Sequence, residues 1–456
     1  MTRGTHCEVL NKAGIATEPS DTRPISILPA IMKIVERVVQ AQLIAYLEDN
    51  CLLSDCQHGY RKFRSTETAL HVITDLALHA MDNGEISILV LLDLSKCFDV
   101  VPHDKLLEKL SLYGITTKWF RDYLADHAQQ VQVRCADGRM LLSDKKSNVI
   151  GVYQGGALSC ILYMLFANDL SLHVPDGVSV VQYADDTQLI VTGRKCDLPQ
   201  LVARMEHALD MLYQWFCFNR MKLNSKKTQM LVLGTPSMLR NVPPVTLTFN
   251  GDVIPDSGVV KNLGVQLDRH LNFEAQIDNM SHKCAGILIA LSHARHVIPR
   301  PVLKGITEAL VLSIVRYCMS VYGSCTSTQL HRVQKTINFC ARVVTGKRRC
   351  DHISGAISSL GWITAEQLVA YHTLCAVERT MKSGHPDFLL KTFGQRAHQR
   401  HDHNTRRADS FTLPAIRVEA GRRRLCYRGV SLLNDSGIEP GTLSFRADAR
   451  LFAGSL

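Results

Sequence analysis

The stretch "VQYADDTQLI", residues 181–190, constrains the fold more than any other part of the chain. Two adjacent acids, Asp185 and Asp186, sit between "VSVVQY" and "TQLIVT". Segments this rich in β-branched and aromatic residues suit a pleated, half-buried surface, so both flanks predict strands. The four residues between them, Ala184 to Thr187, suit a tight hairpin connection, which puts the acids at a hairpin tip. Taken alone, an aspartate pair is also what an ordinary solvated turn carries. Beside an apolar core the balance changes. Two carboxylates about 4 Å apart repel by about 4 kcal/mol at an effective dielectric of about 20. A cation relieves that, and hard carboxylate oxygens suit magnesium.

One more carboxylate would complete a platform for two ions about 4 Å apart. Asp93 is the candidate. It ends the near-continuous apolar run "ISILVLLD", 86–93, which reads as a buried central strand. Asp99 follows six residues later, directly after Phe98.

The rest of the chain supplies layers for such a sheet. Helical apolar spacing covers 26–48, 65–81, 103–114 and 198–220, the third stopping at Gly114. "GVYQGGALSCILYMLFANDL", 151–170, opens as a glycine loop and becomes an apolar helix. "KKTQMLVLG", 226–234, predicts a further strand, and "PSMLRNVPPV", 236–245, a break. Short strands follow in "VTLTFNGDVI" and "KNLGVQLD", then a mainly helical pattern over 273–382. The Arg- and His-rich end predicts no element. The expected class is α+β, divided at 1–235, 236–280, 281–390 and 391–456.

The 456 residues are 46% hydrophobic, enough for a large core, and carry a net charge of +10. With a pI of about 8.9, that excess points to a polyanionic partner. Arg406, Arg407, Arg422, Arg423 and Arg424 are its natural phosphate contacts near the C-terminus; a solvated, unbound tail is the rival reading. Fifteen scattered cysteines without a C-x-x-C pair read as free thiols in a reducing, intracellular compartment, nuclear and/or cytoplasmic. No apolar run of about 18 residues predicts a membrane span. Cys350, His352, His372 and Cys375 match no common zinc spacing and read as chance neighbours. No stable protein partner is inferable.

The order of the motifs carries the functional reading. "DTRPISILPAIMKIVERVV" (21–39) and "QHGYRKFRSTETAL" (57–70) resemble the two finger motifs of the reverse transcriptases of non-LTR retrotransposons, closest to jockey and CR1-like elements. "LLDLSKCFDVVPHDKLL" (91–107) resembles their first palm motif, 151–170 the glycine-loop motif, and "YADD" the metal motif. "LNSKKTQMLVLG" (223–234) resembles the motif after it, and "KNLGVQLDRHLNFEAQI" (261–277) the primer-grip region. "LHRVQKTINFCARVVTG" (330–346) and "HNTRRADSFTLPAIRVEAGRRRLCYRG" more weakly resemble the C-terminal part of the same elements.

The resemblance implies a right-hand polymerase, with fingers and an antiparallel palm sheet followed by a helical thumb. It implies RNA-directed DNA synthesis from dNTP on a DNA primer and an RNA template. Asp93, Asp185 and Asp186 match the triad that holds two Mg2+ ions, with Mn2+ as the alternative. Phe98 matches the aromatic that blocks a ribose 2′-hydroxyl; an ordinary core aromatic is the plainer reading. Gln154 matches the glutamine that packs on the incoming nucleotide, and alone would be a loop glutamine. Arg61 and Arg64 fall where triphosphate is bound, or in a charged surface loop. Lys227 matches a lysine that protonates the leaving pyrophosphate, or is a plain surface lysine. Leu263 and Gly264 fall in the primer grip. Asp99, Asn168 and Asp169 match motif positions with structural roles.

Four positions depart from the family pattern: Tyr153 and Cys160 replace prolines, Gly156 a serine and Thr22 an aromatic. The chain also starts almost at the first finger motif, which implies a truncated frame without the endonuclease of such elements. Two rivals stay open, a catalytically inactive nucleic-acid-binding remnant and a group II intron maturase.

Overall fold

The computed structural model describes residues 4–11, 22–94, 97–125, 128–134, 137–384, 390, 393, 410–440, 442 and 444–456. Its strands are β1 (Gly4–Asn11), β2 (Thr22–Ile27), β3 (Ile86–Leu92), β4 (Ala128–Arg134), β5 (Met140–Leu142), β6 (Lys146–Ser147), β7 (Val178–Tyr183), β8 (Asp186–Gly193), β9 (Gln229–Leu233), β10 (Thr246–Phe249), β11 (Asp252–Pro255), β12 (Val259–Asn262) and β13 (Val265–Asp268). The helices around them are α1 (Ala30–Asp49), α2 (Thr66–Asp82), α3 (His103–Leu112), α4 (Thr117–Leu124), α5 (Ala157–Phe166) and α6 (Leu198–Phe218).

The central sheet has the order β7-β8-β3-β9, with every neighbour antiparallel. The apolar run at 86–92 occupies an interior position because it is buried on both faces. Ile86, Ile88, Val90 and Leu92 join the core shared with α3, α5 and α6. Leu89 and Leu91 point to the other face, onto α2 and the C-terminal half. This period-two split fixes the register, since a slip of one residue would exchange the two cores. α2 begins where it does because Ser65 Oγ accepts from Thr68 N–H while the Thr68 hydroxyl accepts from Ser65 N–H.

A second sheet has the order β2-β1-β4-β5 with β6 on β4, and Ser26 of β2 donates its N–H to the Gln154 carbonyl at 2.9 Å. It contains the parallel pair β1–β4, which joins segments more than a hundred residues apart. The hairpins β10–β11 and β12–β13 follow. The helical part includes Glu274–Ala294, Ser327–Thr345 and Ala365–Ser383, as the pattern over 273–382 predicts. Helices Glu419–Arg423, Leu425–Ser436 and Phe445–Ser455 close the chain, where the sequence indicated no element.

Asp75, near the middle of α2, is buried and accepts two bonds from the Arg424 guanidinium, at 2.9 and 3.2 Å. Asp82 Oδ1 accepts the backbone N–H groups of Arg417 and Val418 at 2.9 and 2.8 Å. Arg423 donates to the carbonyls of Ser324, His270 and Leu271. Arg423 and Arg424, expected as phosphate contacts, have their donors engaged within the chain, Arg424 also reaching His79 Nδ1 at 3.0 Å. Arg422 stays 64% exposed beside Glu419. Arg406 and Arg407 lie outside the described residues. No helix among the described residues is long and apolar enough to cross a membrane.

Candidate active site

Strand register brings the three acids to one edge of the central sheet. Leu92 pairs with Thr187, so Asp93, the residue that follows β3, falls across from Asp186. Tyr183 pairs with Asp186 and closes the β7–β8 hairpin, leaving Ala184 and Asp185 as its two-residue tip. Side chains alternate along a strand, so Asp93 takes the face of Leu89 and Leu91, and Asp186 that of Gln188 and Ile190. Both acids therefore address the same side of the sheet, opposite the side covered by α3, α5 and α6.

The ground beneath them stays neutral. The Cys97 thiol donates to Asp185 Oδ2 at 3.0 Å. Burial first, then the charge of Asp185, pushes that thiol far above its ordinary range. Tyr163 is fully buried below and is likewise pushed up, by burial and then by Cys97, Asp185 and Asp186. Lys227 Nζ is the cation set against Asp93, 3.8 Å from Oδ2. Asn224, in the same turn, donates its backbone N–H to the Asp93 carbonyl at 3.1 Å. Among the described residues, no three His, Cys, Asp or Glu side chains stand in metal-holding geometry. The acids share an edge without forming a closed cluster.

Phe98 lies half-buried with its ring 4.9 Å from that of Tyr163. The chain around it is pinned from below. Val152 N–H donates to the Phe98 carbonyl at 2.7 Å and Gly151 N–H to that of Val101 at 2.8 Å. Gly151 has φ of 86°, and a β-carbon there would stand 2.5 Å from the Asp99 carbonyl oxygen. Only glycine meets both conditions. Gln154 donates its amide to Asp99 Oδ1 at 2.7 Å, so the residue after Phe98 and the glycine loop are one unit. Glu36, fully buried on α1, accepts the Ala157 N–H at 2.8 Å and the Tyr123 hydroxyl at 2.5 Å. It thereby satisfies the start of α5. The departure at Gly156 is accommodated here: a β-carbon would lie 2.7 Å from Ser159 Oγ and 3.2 Å from Glu36 Oε1.

The finger arginines are placed close by but are occupied. Arg61 forks onto Glu48 at 2.8 and 2.9 Å and donates to the Ser54 carbonyl. Arg64 donates to Asp55 and to the Gln57 carbonyl, and its side chain is 2% exposed. Asn168 ties Ser54 and Leu52 to the palm, and Asp169 pairs with Lys109 at 2.7 Å, both structural as the sequence suggested. Leu263 and Gly264 form the tip of β12–β13, with φ of 43° and 86°. The Tyr317 hydroxyl donates to the Leu263 carbonyl at 2.7 Å. Asn262 reaches back to Gln188 Oε1 at 2.8 Å, two residues from Asp186. Cys350 is exposed and Cys375 buried, and the Cys/His set forms no metal-holding group.

The chain matches the family "Reverse transcriptase (RNA-dependent DNA polymerase)" over residues 10–267, more than half its length, and belongs to that family. The α+β class and the right-hand polymerase expectation hold. Among curated proteins it is similar to the RNA-directed DNA polymerase from mobile element jockey of Drosophila melanogaster, 27% identical over 344 residues, covering 72% of this chain and 36% of that protein. The probable RNA-directed DNA polymerase from transposon BS of the same species is 25% identical over 383 residues, covering 80% and 41%. The chain thus spans roughly two fifths or less of the length of these relatives. Apo telomerase from Candida tropicalis superposes with a TM-score of 0.38 at 12% identity, over 59% of this chain and 53% of that one. The resemblance to non-LTR retrotransposon reverse transcriptases drawn from the ordered motifs therefore stands.

Proposed function

We propose that this chain is an RNA-directed DNA polymerase that extends a DNA primer on an RNA template from dNTP. The observation that carries this reading is the convergence of Asp93, Asp185 and Asp186 at one end of the antiparallel sheet, Asp93 across from Asp186 and Asp185 at the hairpin tip beside it, within a reverse transcriptase domain. The donor set fits hard divalent cations: its ligand atoms are carboxylate oxygens, and the thiol and phenol packed beneath them are held neutral. Asp93, Asp185 and Asp186 would hold two magnesium ions, which when bound make the primer 3′-hydroxyl a better nucleophile and neutralise charge at the transferring phosphoryl group.

The chain's own residues do the rest. Phe98, braced by Tyr163 and by Val152, offers the incoming sugar a ring that cannot retreat. Gln154, tied to Asp99, lines the same floor. Lys227, 65% exposed and 3.8 Å from Asp93, would protonate the leaving pyrophosphate. The β12–β13 tip, held by Tyr317, would steady the primer strand. Arg61 and Arg64 would contact triphosphate only after releasing Glu48 and Asp55.

Extension of a DNA primer on a defined RNA template, with magnesium added and then chelated, tests this. The expected result is dNTP- and metal-dependent extension. A chain that binds RNA–DNA hybrid but extends nothing with either Mg2+ or Mn2+ is the inactive remnant instead.

A further inference from the structure

The tip of the β7–β8 hairpin places Asp185 and begins the strand of Asp186, yet it is conformationally awkward. Ala184 has φ of 57°, a left-handed backbone that a β-carbon disfavours. The residue is buried, so its N–H and C=O cannot turn to water instead. Both groups are satisfied by one side chain, 127 positions away. Gln57 Oε1 accepts the Ala184 N–H at 3.0 Å, and Gln57 Nε2 donates to the Ala184 carbonyl at 3.3 Å.

Gln57 is itself held on every side. It is 1% exposed. Its Oε1 also accepts the Gly59 N–H at 2.7 Å, and its carbonyl accepts from Arg64 at 3.1 Å. The segment around it pairs with β7: His58 N–H donates to the Gln182 carbonyl, and Gln182 N–H to that of Cys56, both at 2.8 Å. Gly59 lets the two segments meet, because a β-carbon on it would stand 2.4 Å from the Ala184 nitrogen. The finger segment 56–59 is thus laid along the hairpin, and one amide reaches round its end.

We propose that Gln57 is a positioning residue that clamps the hairpin tip and so fixes where Asp185 and Asp186 present their carboxylates. This rests on the reading of those aspartates as the metal-binding groups. It also gives Arg64 a role in the resting chain, which is to hold the backbone of the clamp.

Three variants separate the elements of the clamp. Gln57→Leu keeps the size and removes both amide contacts. Gln57→Glu keeps an acceptor for the Ala184 N–H and removes the donor. Gly59→Ala keeps the amide group but sets a β-carbon 2.4 Å from the Ala184 nitrogen and 3.0 Å from Gln57 Oε1, crowding the tip by direct contact. Three measurements read them: hydrogen exchange in the peptide spanning 181–190, Mn2+ binding to the polymer-free protein by electron paramagnetic resonance, and single-nucleotide incorporation. We expect Gln57→Leu and Gly59→Ala to exchange faster, to bind Mn2+ more weakly and to lose roughly 5- to 150-fold in kcat, the range an orphaned buried hydrogen-bonding group corresponds to. KM for dNTP and affinity for hybrid should stay within about twofold, since no ligand contact is removed. Gln57→Glu should fall between them and wild type, and it serves if the leucine variant does not fold.

Wild-type exchange, Mn2+ affinity and kcat in the folded variants would overturn the clamp. Asp185→Asn runs alongside. If it incorporates nucleotide as fast as wild type, the catalytic reading of the tip has failed, and the clamp with it. If it is inactive while Gln57→Leu is unaffected, the clamp alone has failed.

Discussion

Replacing Arg424 with methionine tests whether the C-terminal arginines hold the chain together or hold nucleic acid. The side chain is 12% exposed and its partner Asp75 only 1%. Nε and Nη2 both bond Asp75 Oδ2, while Oδ1 has no hydrogen-bond partner. The methionine keeps most of the apolar stem, so little packing is lost and the main loss is charge pairing. Removing one partner of a buried ion pair costs about 3–5 kcal/mol, because the remaining charge is stranded. Arg428 still lies within Coulombic reach of Asp75 and the Cys426 thiol stands 3.9 Å away, which puts the expected loss at about 3 kcal/mol, the lower end of that range. Urea unfolding measures it. Adding Asp75→Asn to the variant removes the stranded charge and should restore about half or more of the loss. Limited proteolysis should show residues 410–456 released from α2 before the rest unfolds. Hybrid affinity and its salt dependence should not change. A loss under about 1 kcal/mol, with the salt slope reduced by about one unit, would identify Arg424 as a phosphate contact and refute the docking account.

Other consequences can be measured directly. Gly151→Ala must place a β-carbon 2.5 Å from the Asp99 carbonyl at a φ of 86°, so Phe98 and Gln154 should shift together; dNTP KM should rise along with a loss of about 2 kcal/mol or more in stability. Phe98→Val should raise ribonucleotide incorporation much more than it lowers deoxynucleotide incorporation; a flat ratio of kcat/KM values would show that the ring only packs against Tyr163. His71, buried beside Ser320, Glu67, Arg379 and Arg428, is driven down to about 3 from 6.5, mainly by burial. The unfolded chain takes up this proton first, so its share of stability is complete above about pH 6.5 and is lost as pH falls toward 3, by up to about 1.4 kcal/mol per pH unit. Replacing His71 with Gln should flatten the acid limb of a stability-against-pH curve between pH 6.5 and 4.5, above the range where Glu67 titrates.

The parts of this fold that were legible in the sequence are those set by local period and local turn chemistry. "ISILVLLD" reads as a central strand because no polar residue interrupts it, and Gly114 stops α3 with a φ of 73°. The hairpin around Asp185 could be read from its β-branched flanks, and Asp93 from its place at the end of an apolar run. What was not legible depends on partners far along the chain. Nothing in "GRRRLCYRG" says that Arg424 meets an aspartate 349 residues earlier; a cluster of arginines looks the same whether it faces carbonyls or phosphates. The parallel pairing of β1 with β4 has no local signature either. Gln57 does not stand out in the sequence because a loop glutamine carries no periodicity, and its role exists only once Ala184 is beside it. The one sequence cue is its place two residues before Gly59, within the stretch "QHGYRKFRSTETAL" that resembles the second finger motif.

The most direct measurement of the central claim is single-turnover addition of one deoxynucleotide to a DNA primer on an RNA template, by wild type, Asp93→Asn and Asp185→Asn, with hybrid binding followed in parallel. If the three acids at the sheet edge form the nucleotidyl-transfer site, wild type incorporates and each variant loses at least about 100-fold in rate at saturating magnesium, the loss that several kcal/mol of transition-state charge stabilisation corresponds to, while binding hybrid as wild type does. Incorporation by either variant within about threefold of wild type, with hybrid binding intact, would contradict it.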